Sequence, residues 1–257
     1  MSVRLEKQDS VGHIVLDRPP ANSYDRSFLD ELDSAIEDAR RDASVRAIVV
    51  RSANERFFSA GADISVFAKG NLDAQSAFVV CANDAMGKFE STPKVVVAAI
   101  NGHCLGGGLE IALCCDFRIA AEGSYRIGLP EVTLGLLPGT GGTQRLPRLI
   151  GRQKALDLML TGRTLTPPEA LAAGIVDDVV PAGELLDRVI TRARTYATGP
   201  TFAIGRIKQA AVQGFGMRLD EGLKLERQLL IDLFKSADAK EGVTAFVEKR
   251  KPSYTGK

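Results

Sequence analysis

Between residues 11 and 180 the chain alternates short apolar runs with amphipathic stretches. Val11-Gly12-His13-Ile14-Val15-Leu16 reads as a strand, broken by Arg18-Pro19-Pro20-Ala21-Asn22. Residues 27–41 put Phe28, Leu29, Leu32, Ile36 and Ala39 on one face and charges opposite, the mark of a surface helix. Strands are expected over 45–50, 94–100, 117–120 and 175–180. Helices are expected over 74–90, from the glycines at 106–108 to Cys115, over 151–161, and in a turn opening at Pro167-Pro168-Glu169. From Gly183 onward the pattern is helical only, over 185–197, 201–212, 219–236 and 238–249. Breaks fall at Gly199-Pro200 and Gly214-Phe215-Gly216. A β-α-β arrangement followed by helices predicts an α/β core with a helical C-terminal part.

Three small-residue loops each follow a strand or strand-like segment: residues 60–64, 106–110 and 130–143. The middle one is the most pointed. The apolar run Val95-Val96-Val97-Ala98-Ala99-Ile100 leads toward Gly106-Gly107-Gly108, and Leu109-Glu110-Ile111-Ala112-Leu113 suits a helix. The first turn of a helix has N–H donors without partners and a partial positive charge, so it stabilises an anion or a developing oxyanion. Alone, a glycine triplet serves equally well for close backbone approach. The nucleotide signatures G-x-G-x-x-G and G-x-x-x-x-G-K-[ST] are absent. Ligands of parallel α/β sheets gather at the carboxyl ends of strands, so the three loops are expected to converge.

Composition narrows the partners. The chain has 257 residues, 45% hydrophobic and 25% charged, and a formal net charge of +1. That balance gives no electrostatic case for nucleic acid or a membrane surface. Cys81, Cys104, Cys114 and Cys115 have no C-x-x-C spacing and sit in apolar context, which predicts free thiols in a reducing, cytoplasmic setting. With only His13 and His103 as histidines, no zinc site is expected. Neither a signal-peptide core nor an apolar run of ~18 residues is found.

Taken together in order, five motifs make the chain similar to the crotonase (enoyl-CoA hydratase/isomerase) superfamily, most like an enoyl-CoA hydratase. They are Phe58-Ser59-Ala60-Gly61-Ala62-Asp63-Ile64; Asn101-Gly102 with Gly106-Gly107-Gly108-Leu109-Glu110 and Cys115-Asp116; Pro130-Glu131 with Leu134-Gly135 and residues 138–146; Leu160-Thr161-Gly162 with Ala170 and Gly174-Ile175-Val176; and Phe246 through Pro252. The resemblance spans nearly the whole chain. It implies a core of repeated ββα turns over residues 1–195 and a helical C-terminal region over 196–257. It also implies a homo-trimer, usually paired into a hexamer, and an acyl-CoA substrate with no redox cofactor or metal.

By the family pattern, the backbone N–H groups of Ala62 and Gly107 hold the thioester oxygen. Glu110 and Glu131 are the paired carboxylates, with Glu131 the proton donor to the α-carbon and Glu110 the base toward water. Ala60, Gly61, Asp63, Ile64 and Gly106 lie along the substrate, Gly139 adds a backbone contact, and Phe246 and Lys249 contact CoA, often across a subunit boundary. Read without the family, Asp63 is a helix cap, Asp116 a backbone-fixing residue after a helix, and His103 a neighbour of the glycine turn that the family leaves without a catalytic role. One departure stands out: hydratases often carry Ala-Leu-Asn where this chain has Asn22-Ser23-Tyr24-Asp25. The resemblance implies hydration of a 2-enoyl-CoA to a 3-hydroxyacyl-CoA. Isomerisation, hydrolysis or decarboxylation on the same site, and a CoA- or RNA-binding protein with little catalysis, are the rival readings.

Overall fold

The computed structural model describes residues 1–257, the side chain of Lys69 excepted. Strands β1 (Val3–Gln8) and β2 (Val11–Leu16) form an antiparallel hairpin. Helix α1 (Arg26–Arg41) follows, started by Asp25, whose carboxylate accepts from Phe28 N at 3.0 Å. Its apolar stripe, Phe28, Leu29, Leu32, Ala35, Ile36 and Ala39, is buried, as the spacing requires. Next come β3 (Ala47–Ser52), β4 (Phe57–Ser59), α2 (Ile64–Lys69) and α3 (Leu72–Ser91). The chain continues through β5 (Val95–Ile100), β6 (His103–Leu105), α4 (Gly107–Leu113), β7 (Phe117–Ala121) and β8 (Ile127–Gly128). Helices α5 (Gly142–Ile150), α6 (Arg152–Thr161) and α7 (Pro167–Ala173), strand β9 (Asp178–Val180), and helices α8 (Leu185–Ala197), α9 (Thr201–Gly214), α10 (Leu219–Leu233) and α11 (Ala237–Val247) complete it.

Two sheets result. The larger runs β1-β2-β3-β5-β7-β9 and is parallel except at its first pair; the smaller runs β4-β6-β8 and is parallel throughout. Consecutive strands alternate between them. β3, β5 and β7 enter the large sheet, β4, β6 and β8 enter the small one, and helical structure follows each pair. This is the expected spiral of ββα turns. Every residue of β5 is buried, which is why its sequence is a continuous apolar run rather than an alternation.

The alternation fixes the site. Because β4, β6 and β8 lie side by side and parallel, the loops that leave their carboxyl ends share one edge. Those loops carry Ala62, Gly107 and Glu131. The helical layer after residue 183 is as expected, and α8 packs its buried face, including Val189 and Ala193, over the large sheet.

Three expectations need correction, and the N-terminal residues, which carried no strand expectation, form edge strand β1. The strand expected over 45–50 begins at Ala47 and runs on to Ser52, and the helix expected over 74–90 begins at Leu72, preceded by the separate α2. The strand expected over 175–180 is confined to Asp178–Val180, because Ile175 and Val176 donate their N–H groups to Ala170 O in the turn that closes α7.

Candidate active site

The glycine turn before α4 does what its composition suggests. Gly106 has φ +54 and ψ −129, a region closed to residues with a side chain. Gly108 lets the helix press onto β4, since a Cβ there would stand 2.2 Å from Ser59 O. Leu109 N and Glu110 N donate to Gly106 O at 2.8 and 3.1 Å, closing the first turn. Gly107 N, at the helix start, has no acceptor within the chain, and neither has Ala62 N, among the described residues. The two loops touch: a Cβ on Gly61 would lie 2.7 Å from Gly107 N. Two unpaired donors therefore sit at one edge of the small sheet, presented by backbone alone.

A cavity of about 470 Å³ opens over them. Ala60, Ala62, Ile64, Gly106, Gly107, Glu110, Glu131 and Gly139 all line it, so eight of the residues named from sequence share one space. Its remaining wall is mainly apolar, with Phe67, Phe78 and Val79 from the α2–α3 side and Leu134, Leu136 and Leu137 from the loop before α5. Such a wall suits a hydrocarbon chain beside a small polar centre.

The two carboxylates in this cavity have unlike surroundings. Glu110 is 2% exposed. Its Oε1 accepts from Thr140 N at 2.8 Å and Gly142 N at 2.7 Å, and its Oε2 accepts a short hydrogen bond from the Thr140 hydroxyl. Burial raises its pKa, while the Thr140 hydroxyl and the Gly142 and Thr140 amides oppose the rise by stabilising the charged form. Glu131 begins a short 3-10 turn, and its Oε1 faces Gly106, where a Cβ would stand 2.9 Å away. Its Oε2 is buried and has no partner. Burial pushes its pKa up to about 7, its own backbone N–H pulls the other way, and the nearby Glu110 charge adds to the rise. Burial thus raises both carboxyls, but three donors oppose that rise at Glu110, and Glu131 Oε2 has no such donor.

Other named residues stand apart from this space. Gly61 is buried behind Ala62, its carbonyl accepting from Tyr24 N at 2.9 Å. Asp63 caps α2, accepting from Ser65 N, and pairs with Arg18 at 3.8 Å, so its role is structural rather than in the cavity wall. Asp116 accepts from Val96 N at 2.7 Å, a backbone fixture as expected. His103 accepts from Arg126 N at 3.2 Å and does not line the cavity. Phe246, at the end of α11, is 85% exposed, and it and Lys249 lie outside the cavity of their own chain. The sequence reading missed Thr140, whose two donors hold Glu110, and placed Tyr24 only within the departure at residues 22–25. The Pro138-Gly139-Thr140-Gly141-Gly142 stretch was the available signal, since a glycine-rich turn leaves amides exposed. All four cysteines are free, and Cys81 alone is not buried. Among the described residues no helix is long and apolar enough to cross a membrane.

Comparison with known proteins adds to this geometry. The enoyl-CoA hydratase/isomerase family model matches residues 6–257. A probable enoyl-CoA hydratase of Bacillus subtilis is 39% identical over 99% of this chain and 99% of its own. A crotonyl-CoA hydratase of Syntrophomonas wolfei is 37% identical over 100% of this chain and 98% of its own. The crystal structure of an enoyl-CoA hydratase from Bacillus anthracis superposes with a TM-score of 0.94 at 39% identity, covering 100% of both chains.

Proposed function

The chain belongs to the enoyl-CoA hydratase/isomerase family and is an enoyl-CoA hydratase; we propose that it carries the reaction on two backbone donors and two glutamates. The thioester oxygen of a 2-enoyl-CoA accepts from Ala62 N and Gly107 N. Negative charge grows on that oxygen as water attacks the β-carbon, and both donors are already in place to hold it. Glu110 takes a proton from the attacking water, and Glu131 gives one to the α-carbon, yielding a 3-hydroxyacyl-CoA. Water supplies both added groups, so no redox equivalent is consumed.

The unlike surroundings of the two carboxyls carry this reading. A base must be ionised and an acid protonated at one pH, and two glutamates in one cavity achieve that only if their environments differ. Glu110 has three donors and Glu131 Oε2 has none. An isomerase needs only one carboxyl to move a proton, so the ordered second carboxyl at Glu110 favours hydration. The test is turnover of crotonyl-CoA, followed as loss of the conjugated-thioester absorbance. Absence of turnover alongside isomerisation of a 3-enoyl-CoA would move the assignment to the rival reaction.

Self-association belongs to the same reading. Phe215, Leu219, Phe234, Phe246 and Val247 are each more than two-thirds exposed on the C-terminal helices. An apolar face of this kind is what a homo-trimer, or a hexamer of paired trimers, covers. It also brings Phe246 and Lys249 toward the CoA of a neighbouring subunit, with Lys249 as a phosphate partner. Light scattering tests this, and a stable monomer at micromolar concentration would refute it.

A further inference from the structure

Two backbone donors and two carboxylates act in concert only if three separate loops keep their spacing. Tyr24 touches all three. Its N–H donates to Gly61 O at 2.9 Å and its carbonyl accepts from Asp63 N at 2.9 Å, so its backbone brackets Ala62 on both sides. Its hydroxyl stands against the start of α4: a Cβ built on Gly107 would lie 1.9 Å from that oxygen. The same hydroxyl is 3.5 Å from Thr140 Oγ1, and Thr140 is the residue that donates twice to Glu110.

The ring has no room to retreat. Tyr24 is 1% exposed, stacked on Phe78 at 5.9 Å and 23°, and 6.2 Å from Phe28. Its phenol borders the cavity together with Ala62, Gly107, Glu110 and Glu131. Donor arithmetic sets the direction of its hydrogen bond. The single hydroxyl hydrogen of Thr140 goes to the Glu110 carboxylate, so Thr140 Oγ1 is left to accept and Tyr24 donates. Burial and then the Glu110 charge push the phenol's pKa upward, so the hydroxyl stays protonated in that role. Every hydrogen in the chain Tyr24–Thr140–Glu110 points toward the carboxylate, an order in which each bond polarises the next.

We propose that Tyr24 is a positioning residue for hydration: its phenol sets the distance between the Ala62 loop and Gly107, and through Thr140 it orients Glu110. This rests on the hydratase reading above. It makes the departure at residues 22–25 functional, because an aliphatic side chain at 24 would reach neither Gly107 nor Thr140 with a polar atom.

Two variants separate the parts. Tyr24→Phe keeps the ring and loses the hydroxyl; Tyr24→Leu loses the reach as well. Each is read by kcat and KM for crotonyl-CoA, and by the enolate absorbance of bound acetoacetyl-CoA, which reports polarisation of the thioester oxygen without water addition. Tyr24→Phe is expected to lower kcat ~3- to 10-fold with KM within ~2-fold and a wild-type enolate band, since the ring carbons, 2.6 and 2.7 Å from a Cβ built on Gly107, still space the two loops and only the link to Glu110 is lost. Tyr24→Leu is expected to lower kcat by ~10²-fold, the scale of losing one oxyanion donor, and to weaken the band. A wild-type kcat in the Phe variant overturns the link through Thr140. An undiminished band in the Leu variant overturns the spacing role, and Tyr24→Met is read the same way if the Leu variant does not fold. If the wild type binds acetoacetyl-CoA as its enolate but leaves crotonyl-CoA unhydrated, the hydratase reading fails, while the enolate band still decides the spacing role.

Discussion

The ammonium of Lys208 lies 2.8 Å from the carboxylate of Asp116, on helix α9 and in the turn after α4 respectively. Lys208 also donates to Phe89 O at 2.7 Å and Lys94 O at 3.0 Å, while Asp116 accepts from Val96 N. One buried cation thus fastens the C-terminal helices to the end of α3 and to β5. Asp116→Ala leaves that charge uncompensated and is expected to cost ~3–5 kcal/mol in urea unfolding. A loss under ~1 kcal/mol would show that the three carbonyl and carboxylate contacts are not acting as a unit.

Exchange of either cavity glutamate separates chemistry from binding. Glu110→Gln and Glu131→Gln are each expected to lower kcat on crotonyl-CoA by ~10²-fold or more. Titration calorimetry with a saturated acyl-CoA should show affinity near that of the wild type. Wild-type hydration by either variant would remove the two-carboxylate mechanism.

The pKa of Glu131 sets a pH window with a definite sign. Its folded pKa is raised to about 7 from the ordinary 4.5. The protonated form is favoured by folding, so this contribution is fully present below pH ~4.5 and is lost as pH rises through ~7. Glu131→Gln, which stays neutral, should therefore gain thermal stability over the wild type at pH 8 and converge with it at pH 5. The kcat/KM of the wild type should fall above pH ~7 as the acid is lost. Parallel melting curves across that range would contradict the assignment.

Ala62→Pro deletes a donor while sparing its neighbours. The bridge to Tyr24 uses Gly61 O and Asp63 N, not Ala62 N, and the residue before the new proline is a glycine with φ +89, tolerant of the restriction proline imposes. A ~10²–10³-fold fall in kcat is expected with the fold retained by circular dichroism. Full activity would show that the thioester oxygen binds elsewhere.

His13 predicts acid sensitivity of a different origin. It is 4% exposed, and neither ring nitrogen has a partner. Burial, then the Arg51 charge, lowers its pKa. Folding favours the neutral ring, so stability is present above the unfolded value of ~6.5 and is lost as pH falls below it. His13→Val should raise the melting temperature at pH 5 more than at pH 8. An equal change at both would mean packing, not protonation, is at issue.

How much of this was legible in the sequence depended on element length. Helix α1 and strand β5 announced themselves, the first by an apolar stripe and the second by an unbroken apolar run. β4, β6 and β8 are two or three residues long, too short for any period to show, so the small sheet that gathers the loops was invisible as strands. Helix α5 enters through Gly141-Gly142 and carries Pro147 inside, so no unbroken helical pattern marks it. The site followed from loops rather than strands, and Glu110 and Glu131, both named from those loops, line one cavity. Their unlike surroundings were not readable, because the donors to Glu110 come from Thr140 and Gly142, some thirty residues away and brought close only by the spiral.

Both proposed oxyanion donors belong to the main chain, and that has a consequence for how such a protein changes over time. On that proposal the group that stabilises the enolate is encoded by backbone path, while the fate of the enolate is encoded by side chains at 110 and 131. Substituting those two positions redirects protons without rebuilding the part of the site that makes the intermediate accessible. A scaffold divided in this way can trade one reaction for another in single steps, each through a folded protein that still generates the same intermediate.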